Sequence, residues 1–186
     1  SSDLWLNDAE KTEPNDPTAA SLATVAANGQ PSVRIILVRG WDEKGFVFYT
    51  NFESQKGCEL LSHPQAALCF HWKTIRRQIR IEGTAAPVTD EEANNYFNQR
   101  PKSHRISAIA SSQSRPLESD DVFIEKIKSL EEQYKDSEDV PRPAHWSGFR
   151  IVPQKIEFWL DQPSRRHNRL VYCREENGWR TEKLYP

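Results

Sequence analysis

The chain predicts a β-rich α+β domain. Three observations carry that expectation: five or six short apolar or alternating runs early in the chain, helical segments set between them, and strands again at the C-terminal end. At 186 residues there is enough chain for one domain with a sizeable core, and no repeat, low-complexity segment or clear boundary divides it. The expected organisation is a polar N-terminal arm over residues 1–17 and a single domain over 18–186.

The arm holds Pro14, Pro17 and several acidic residues, so poor order is expected, with a short helix over 3–11. A meander follows: an apolar run at 21–27, the hairpin turn signal Asn28-Gly29, and a β-branched run at 32–39. Asp42-Glu43-Lys44-Gly45 makes a second turn before a strand at 46–50. Ser54 is placed to cap a helix over 54–62 that His63-Pro64 stops. Strands are expected at 66–72 and 77–83, where Gln78 and Arg80 alternate with Ile79 and Ile81. Thr89 and Glu92 have capping-box spacing and open a helix to about Gln99, ended by Arg100-Pro101. A short helix at 103–110 and a loop at 113–117 lead to a charged helix over 119–135, whose Phe123, Ile127, Leu130 and Tyr134 keep helical spacing. Val140-Pro141-Arg142-Pro143 is a stiff connector, and strands are expected at 149–152, 156–160, 169–174 and 179–184.

Hydrophobic residues make up 37% and charged residues 28% of the chain, ordinary for a soluble protein. A net charge of -2 argues against a broad nucleic-acid-binding surface. No apolar run approaches the ~20 residues of a membrane span, and no secretory segment is visible. Cys58, Cys69 and Cys173 are odd in number and widely spaced, which points to reduced thiols in the cytoplasm. His63, His71 and His145 lack metal-like spacing and read as structural. Methionine is absent, the initiator included, so a truncated or processed chain is expected, with residues upstream of Ser1 missing.

Local basic clusters must then serve something small. Arg165, Arg166, His167 and Arg169 crowd a loop between two apolar strands; guanidinium groups there suit an anionic, planar ligand, although a basic loop can equally be plain solvated surface. Arg34 and Arg39 bracket one strand and, five apart, fall on opposite faces. Tyr49-Thr50-Asn51 runs into Ser54-Gln55-Lys56, a strand end followed by a helix N-terminus, which is a natural phosphate cradle. Tyr96 and Arg100 share a helix face and could clamp a phosphate, or form a surface cation–π pair.

The block Glu157-Phe158-Trp159, then Pro163-Ser164-Arg165, His167 and Arg169, resembles the C-terminal signature of the pyridoxine/pyridoxamine 5'-phosphate oxidase family, usually R-L-H-D-R. The resemblance runs from about Asp16 to Pro186. It implies an FMN-binding split β-barrel with peripheral helices, a homodimer with FMN at the interface, and oxidation of pyridoxamine or pyridoxine 5'-phosphate to pyridoxal 5'-phosphate with oxygen reduced to hydrogen peroxide. Arg34, Ile35, Ile36, Leu37, Val38 and Arg39 resemble the family's R-x-V-L-L-K, which lines the flavin. Tyr49, Thr50, Gln55 and Lys56 resemble its Y-T-N-x-x-S-R-K, with Lys56 on the FMN phosphate. Gln78 matches a glutamine facing the isoalloxazine ring, and Gln113, Ser114, Trp159 and Arg169 match further flavin positions.

On the substrate side the resemblance implies a phosphate clamp of Arg39, Tyr96, Arg100 and His104. It places Arg165 over the pyridine ring and lets His167 bind the ring's polar substituents or help move a proton; these two are the candidate catalytic residues. Five positions depart: Arg39 for lysine, Gln55 for arginine, His104 for serine, Arg166 for leucine and Asn168 for aspartate. All touch ligand positions. They keep open a related split-barrel oxidase of phenazine-pathway type, and a flavin- or pyridoxal-phosphate-binding protein with little turnover.

Overall fold

Alternation of side chains builds the sheet. In the computed structural model, which describes residues 2–186, β1 (Ala19–Val25) buries Ala20, Leu22 and Thr24, and β2 (Pro31–Leu37) pairs beside it. After β3 (Gly40–Asp42) and β4 (Gly45–Asn51) come β5 (Gln65–Trp72) and β6 (Arg77–Pro87), which turn Leu68, Phe70, Ile79 and Ile81 inward. β7 (Trp146–Leu160), β8 (Asn168–Glu175) and β9 (Gly178–Leu184) complete one antiparallel sheet. Its order is β2-β1-β5-β6-β7-β4-β3, with β8 also on β7 and β9 on β8. The core lies inside its curl, around Phe48, Phe70 and Phe149.

β7 differs from expectation. Two short strands, 149–152 and 156–160, are one strand of 15 residues. Pro153 does not break it because the register against β6 shifts between Glu82 and Gly83, opposite the proline; a bulge there spares the N–H that proline lacks. Gly83 permits the close approach, since a Cβ would stand 2.2 Å from the Val152 carbonyl oxygen. β7 pairs with β6 along nearly its whole length, with β4 through Trp146–Ile151 and with β8 through Lys155–Leu160.

Among the described residues, five α-helices flank the sheet: α1 (Ser2–Thr12), α2 (Gln55–Ser62), α3 (Asp90–Gln99), α4 (Lys102–Ala110) and α5 (Asp120–Gln133). The Thr89–Glu92 capping box opens α3 as its spacing requires, and Ser54 caps α2 by accepting from the Gly57 N–H. On α5 the helically spaced Phe123, Ile127 and Leu130 are only half-buried, with α4 as the neighbouring helix.

The N-terminal segment corrects the expectation of a poorly ordered arm, although residue 1 lies outside the described residues. The expected short helix is present as α1, but it belongs to the core. Leu6 and Ala9 are 0% exposed, the Trp5 ring meets Phe158 edge-on at 5.2 Å, and Asp8 pairs with Arg77 at 2.7 Å. Three apolar residues on one helical face are enough to dock it, while the acidic residues around them give the segment its polar composition. Leu6→Ala should therefore lower unfolding stability by about 2–5 kcal/mol in chemical denaturation; a loss near zero would return the segment to a solvated arm.

Candidate functional site

α2 starts where β4 ends, and its first turn folds back on that strand. Gly57 makes this possible: a Cβ would stand 2.4 Å from the Phe52 carbonyl oxygen. The turn directs the Lys56 ammonium to Gln113 Oε1 at 3.1 Å and to the Thr50 and Ser54 hydroxyls at 3.3 Å. Burial pushes Lys56 below its ordinary pKa and the Arg34 charge adds to this, with Glu59 opposing. Among the described residues Lys56 bonds only neutral groups, and a cation so placed at a helix N-terminus suits an anion.

Glu59 supports the cradle from behind. It is buried and accepts from Thr24, from Ser32 at 2.7 Å and from Gln55 Nε2 at 2.9 Å, and it pairs with Arg34 at 3.3 Å. Burial pushes its carboxyl up, but these hydrogen bonds and the Arg34 charge outweigh that and hold the pKa at about 2. Arg34 also donates to Ser32 Oγ at 2.6 Å and to the Leu22 carbonyl at 3.2 Å. It is thus a locked cation near Lys56 rather than a lining residue.

A cavity of about 580 Å³ lies in front of Lys56. Among the sequence candidates, Ile35, Ile36, Leu37, Arg39, Tyr49, Thr50, Lys56, Tyr96, Arg100, His104 and Gln113 all line it. Val38 instead points into the core, Gln55 is exposed and engaged with Glu59, and Ser114 sits on an exposed loop lining a separate cavity with Arg115 and Leu117.

Trp146 also lines the cavity, and the sequence did not single it out. Tyr49 stacks on Tyr96 at 3.9 Å, the Trp146 ring lies parallel to both at 5.5 and 6.3 Å, and the Arg100 guanidinium lies 4.9 Å over the Trp146 ring. Burial pushes Arg100 below its ordinary pKa, Tyr96 opposes, and neighbouring Arg39 pushes the same way. Its buried Nη1 finds no acceptor among the described residues. An orphaned buried donor beside a second guanidinium calls for an anionic ligand.

The remaining candidates form a second group. Register places Gln78 beside Trp159 and Trp159 beside Arg169, one row across β6, β7 and β8 on one sheet face. Arg169 donates to Glu157 at 2.7 Å, and Glu157 also pairs with Arg80. His167 stands 4.6 Å from the Trp159 ring, and Arg165 is exposed on the loop between β7 and β8. His167 and Arg169 line another cavity of about 420 Å³ with Trp5, Phe158 and Tyr172. The candidates therefore fall into two groups, not one.

Residues 6–134 match the family model described as pyridoxamine 5'-phosphate oxidase, and residues 146–186 match the one described as the pyridoxine 5'-phosphate oxidase C-terminal dimerisation region. The chain belongs to the pyridoxamine 5'-phosphate oxidase family. Relatives named pyridoxine/pyridoxamine 5'-phosphate oxidase include one from Gluconobacter oxydans, 55% identical over 98% of this chain and 90% of its own. Another, from Chelativorans sp., is 54% identical over 98% of this chain and 87% of its own. Among solved structures, PhzG from Burkholderia lata 383 in complex with tetrahydrophenazine-1-carboxylic acid superposes with a TM-score of 0.93 at 31% identity, covering 99% of this chain and 90% of that one. A pyridoxamine 5'-phosphate oxidase-related, FMN binding protein from Nostoc punctiforme shares the fold, with a TM-score of 0.79 at 18% identity and coverage of 99% and 94%. The expected split-barrel fold is met.

The depressed Glu59 pKa has a stability consequence. The folded value of about 2 lies below the ordinary 4.5, so the carboxylate contributes stability above pH ~4.5 that is lost as pH falls through about 2. The wild-type minus Glu59→Gln difference in unfolding stability should shrink over that window in urea titrations. A difference independent of pH would show that Glu59 is not held ionised by this cluster.

Proposed function

We propose that the protein is an FMN-dependent oxidase converting pyridoxamine or pyridoxine 5'-phosphate to pyridoxal 5'-phosphate, with oxygen as acceptor and hydrogen peroxide as product. One observation carries the reading: a single cavity holds two separate cationic ends, Lys56 at the start of α2 and Arg39 with Arg100 near α3. Two anion sites in one cavity suit two phosphates, one on the cofactor and one on the substrate. Identity near 55% to pyridoxine/pyridoxamine 5'-phosphate oxidases, against 31% to PhzG, supports this substrate class over a phenazine.

The residues present fit FMN. Lys56, Thr50 and Gln113 would hold its phosphate, with β2 running beside them. When bound, FMN supplies the two-electron acceptor that oxygen reoxidises. Arg39, Tyr96 and Arg100 anchor the substrate phosphate, and the Trp146 face keeps Arg100 in place through a cation–π contact. His104, exposed at the rim, adds an imidazole where the family has serine.

Arg165 and His167 reach the substrate ring from a second protomer, so FMN sits at a homodimer interface. Trp146 and Trp159 mark the two groups near opposite ends of one strand, thirteen residues apart, a separation of up to roughly 40 Å. Residues 146–186, which match the dimerisation region, include Trp159, Arg165 and His167. Val33 and Ile35, 68% and 65% exposed on edge strand β2, are apolar surface that a partner would cover. The three cysteines are free, which fits the reducing cytoplasm, and among the described residues no helix is long and apolar enough to cross a membrane.

Mixed anaerobically with pyridoxamine 5'-phosphate, the FMN-loaded protein should bleach at one flavin per subunit; a flavin that stays oxidised overturns the reading. Arg100→Ala should raise KM about 10-fold or more, as expected for a lost charge-assisted phosphate contact of about 1.5–3 kcal/mol, while flavin fluorescence shows FMN still bound. Arg165→Ala and His167→Ala should cut peroxide production with flavin retained, whereas Arg34→Ala should loosen the flavin.

A further inference from the structure

The loop carrying Arg165 and His167 is conformationally demanding. Ser164 and Arg165 both take left-handed φ values, 57° and 58°, which non-glycine residues seldom adopt and which surrounding contacts must hold in place. The contact on His167 is specific. Its Nδ1 stands 2.9 Å from Asp161 Oδ1, and the Asp161 side chain is only 12% exposed. Trp159 supports one side of the ring. Asp161 is fastened in turn to the β5–β6 turn: its backbone N–H donates to the Arg76 carbonyl at 3.1 Å, and its carboxylate pairs with the Arg76 guanidinium. That ion pair is solvent-facing on the arginine side and adds little; the backbone bond, which continues the β6–β7 ladder past Arg77 and Leu160, is the anchor.

We propose that Asp161 is the positioning residue of His167. Its carboxylate accepts the Nδ1–H, fixes the tautomer whose Nε2 is bare, and holds Nε2 on the outer side of the ring, where it accepts a hydrogen bond from a hydroxyl or ammonium group of the substrate. The Gln162 N–H lies 3.3 Å from the same Nδ1 and favours the opposite tautomer. The carboxylate is closer and charged, and charge-assisted bonds are roughly twice as strong as neutral ones, so it decides. Asn168, where the family carries aspartate, is exposed and makes no side-chain hydrogen bond among the described residues. In this chain the carboxylate at the histidine is that of Asp161, six residues before it. The inference rests on the reading that His167 faces substrate.

The test uses FMN-loaded protein with 15N-labelled histidine at about pH 9, where an ordinary imidazole is neutral. His167 is one of five histidines, and its signals are assigned by their loss in His167→Ala. Wild type should show a protonated Nδ1 and a bare Nε2. Asp161→Asn, which keeps the side-chain shape, should shift the ring toward the Nε2–H tautomer and lower kcat/KM about 10- to 100-fold, the scale of a misplaced reacting group, with flavin content unchanged. Asp161→Glu should recover part of both. Unchanged His167 15N shifts in Asp161→Asn, or an altered tautomer with wild-type kcat/KM, overturns the proposal. Wild-type turnover in His167→Ala is a different result: it removes the substrate-side role of His167 on which the proposal rests.

Discussion

β7 hydrogen-bonds to β6 along one edge while its other edge passes from β4 to β8 around Pro153. Both groups of candidate residues draw on that exchange. The first half of the strand brings Trp146 beside Tyr49, Tyr96 and Arg100; the second half aligns Trp159 with Gln78 and Arg169. A sheet that stayed flat would set these residues along one open surface. The register shift at Gly83 and Pro153 is where the ladder gives, because proline has no N–H to contribute and glycine has no Cβ to obstruct the approach.

Charge separates the arginines that hold the fold from those left for a ligand. Arg34, Arg150 and Arg169 each meet a carboxylate, from Glu59, from Asp42 and Glu92, and from Glu157. Among the described residues, Arg100 lies on an aromatic ring with a buried N–H unsatisfied, and Lys56 touches only neutral oxygens. Leaving a buried donor unmet costs about 1–3 kcal/mol. A fold tolerates that where binding an anion recovers it. Locked Arg34 also raises the positive potential at Lys56 without standing in the ligand's way.

The departures from the family pattern are local and of different kinds. Gln55 is exposed and holds Glu59, so its amide serves the support of the cradle. Arg39 and His104 line the cavity itself, beside Arg100. Arg166 is exposed on the β7–β8 loop. Position 168 gives up a carboxylate that Asp161 supplies from the end of β7.

By itself the sequence determined what short-range physics controls. The Asn28-Gly29 turn, the Ser54 cap, the Thr89–Glu92 box and the alternation in β6 are set by contacts a few residues apart, and each stands where its residues place it. The family motifs likewise marked most of the residues that line the cavity. Only tertiary structure decided the rest. Leu6 is core because the sheet offers its helix a surface, although the composition around it is polar. Glu59 reaches Arg34, Thr24 and Ser32 across 25 to 35 residues of chain. Trp146 under Arg100, Asp161 on His167 and the division of candidates into two groups depend on strand register, which no local pattern encodes because many residues of one type satisfy the same alternation.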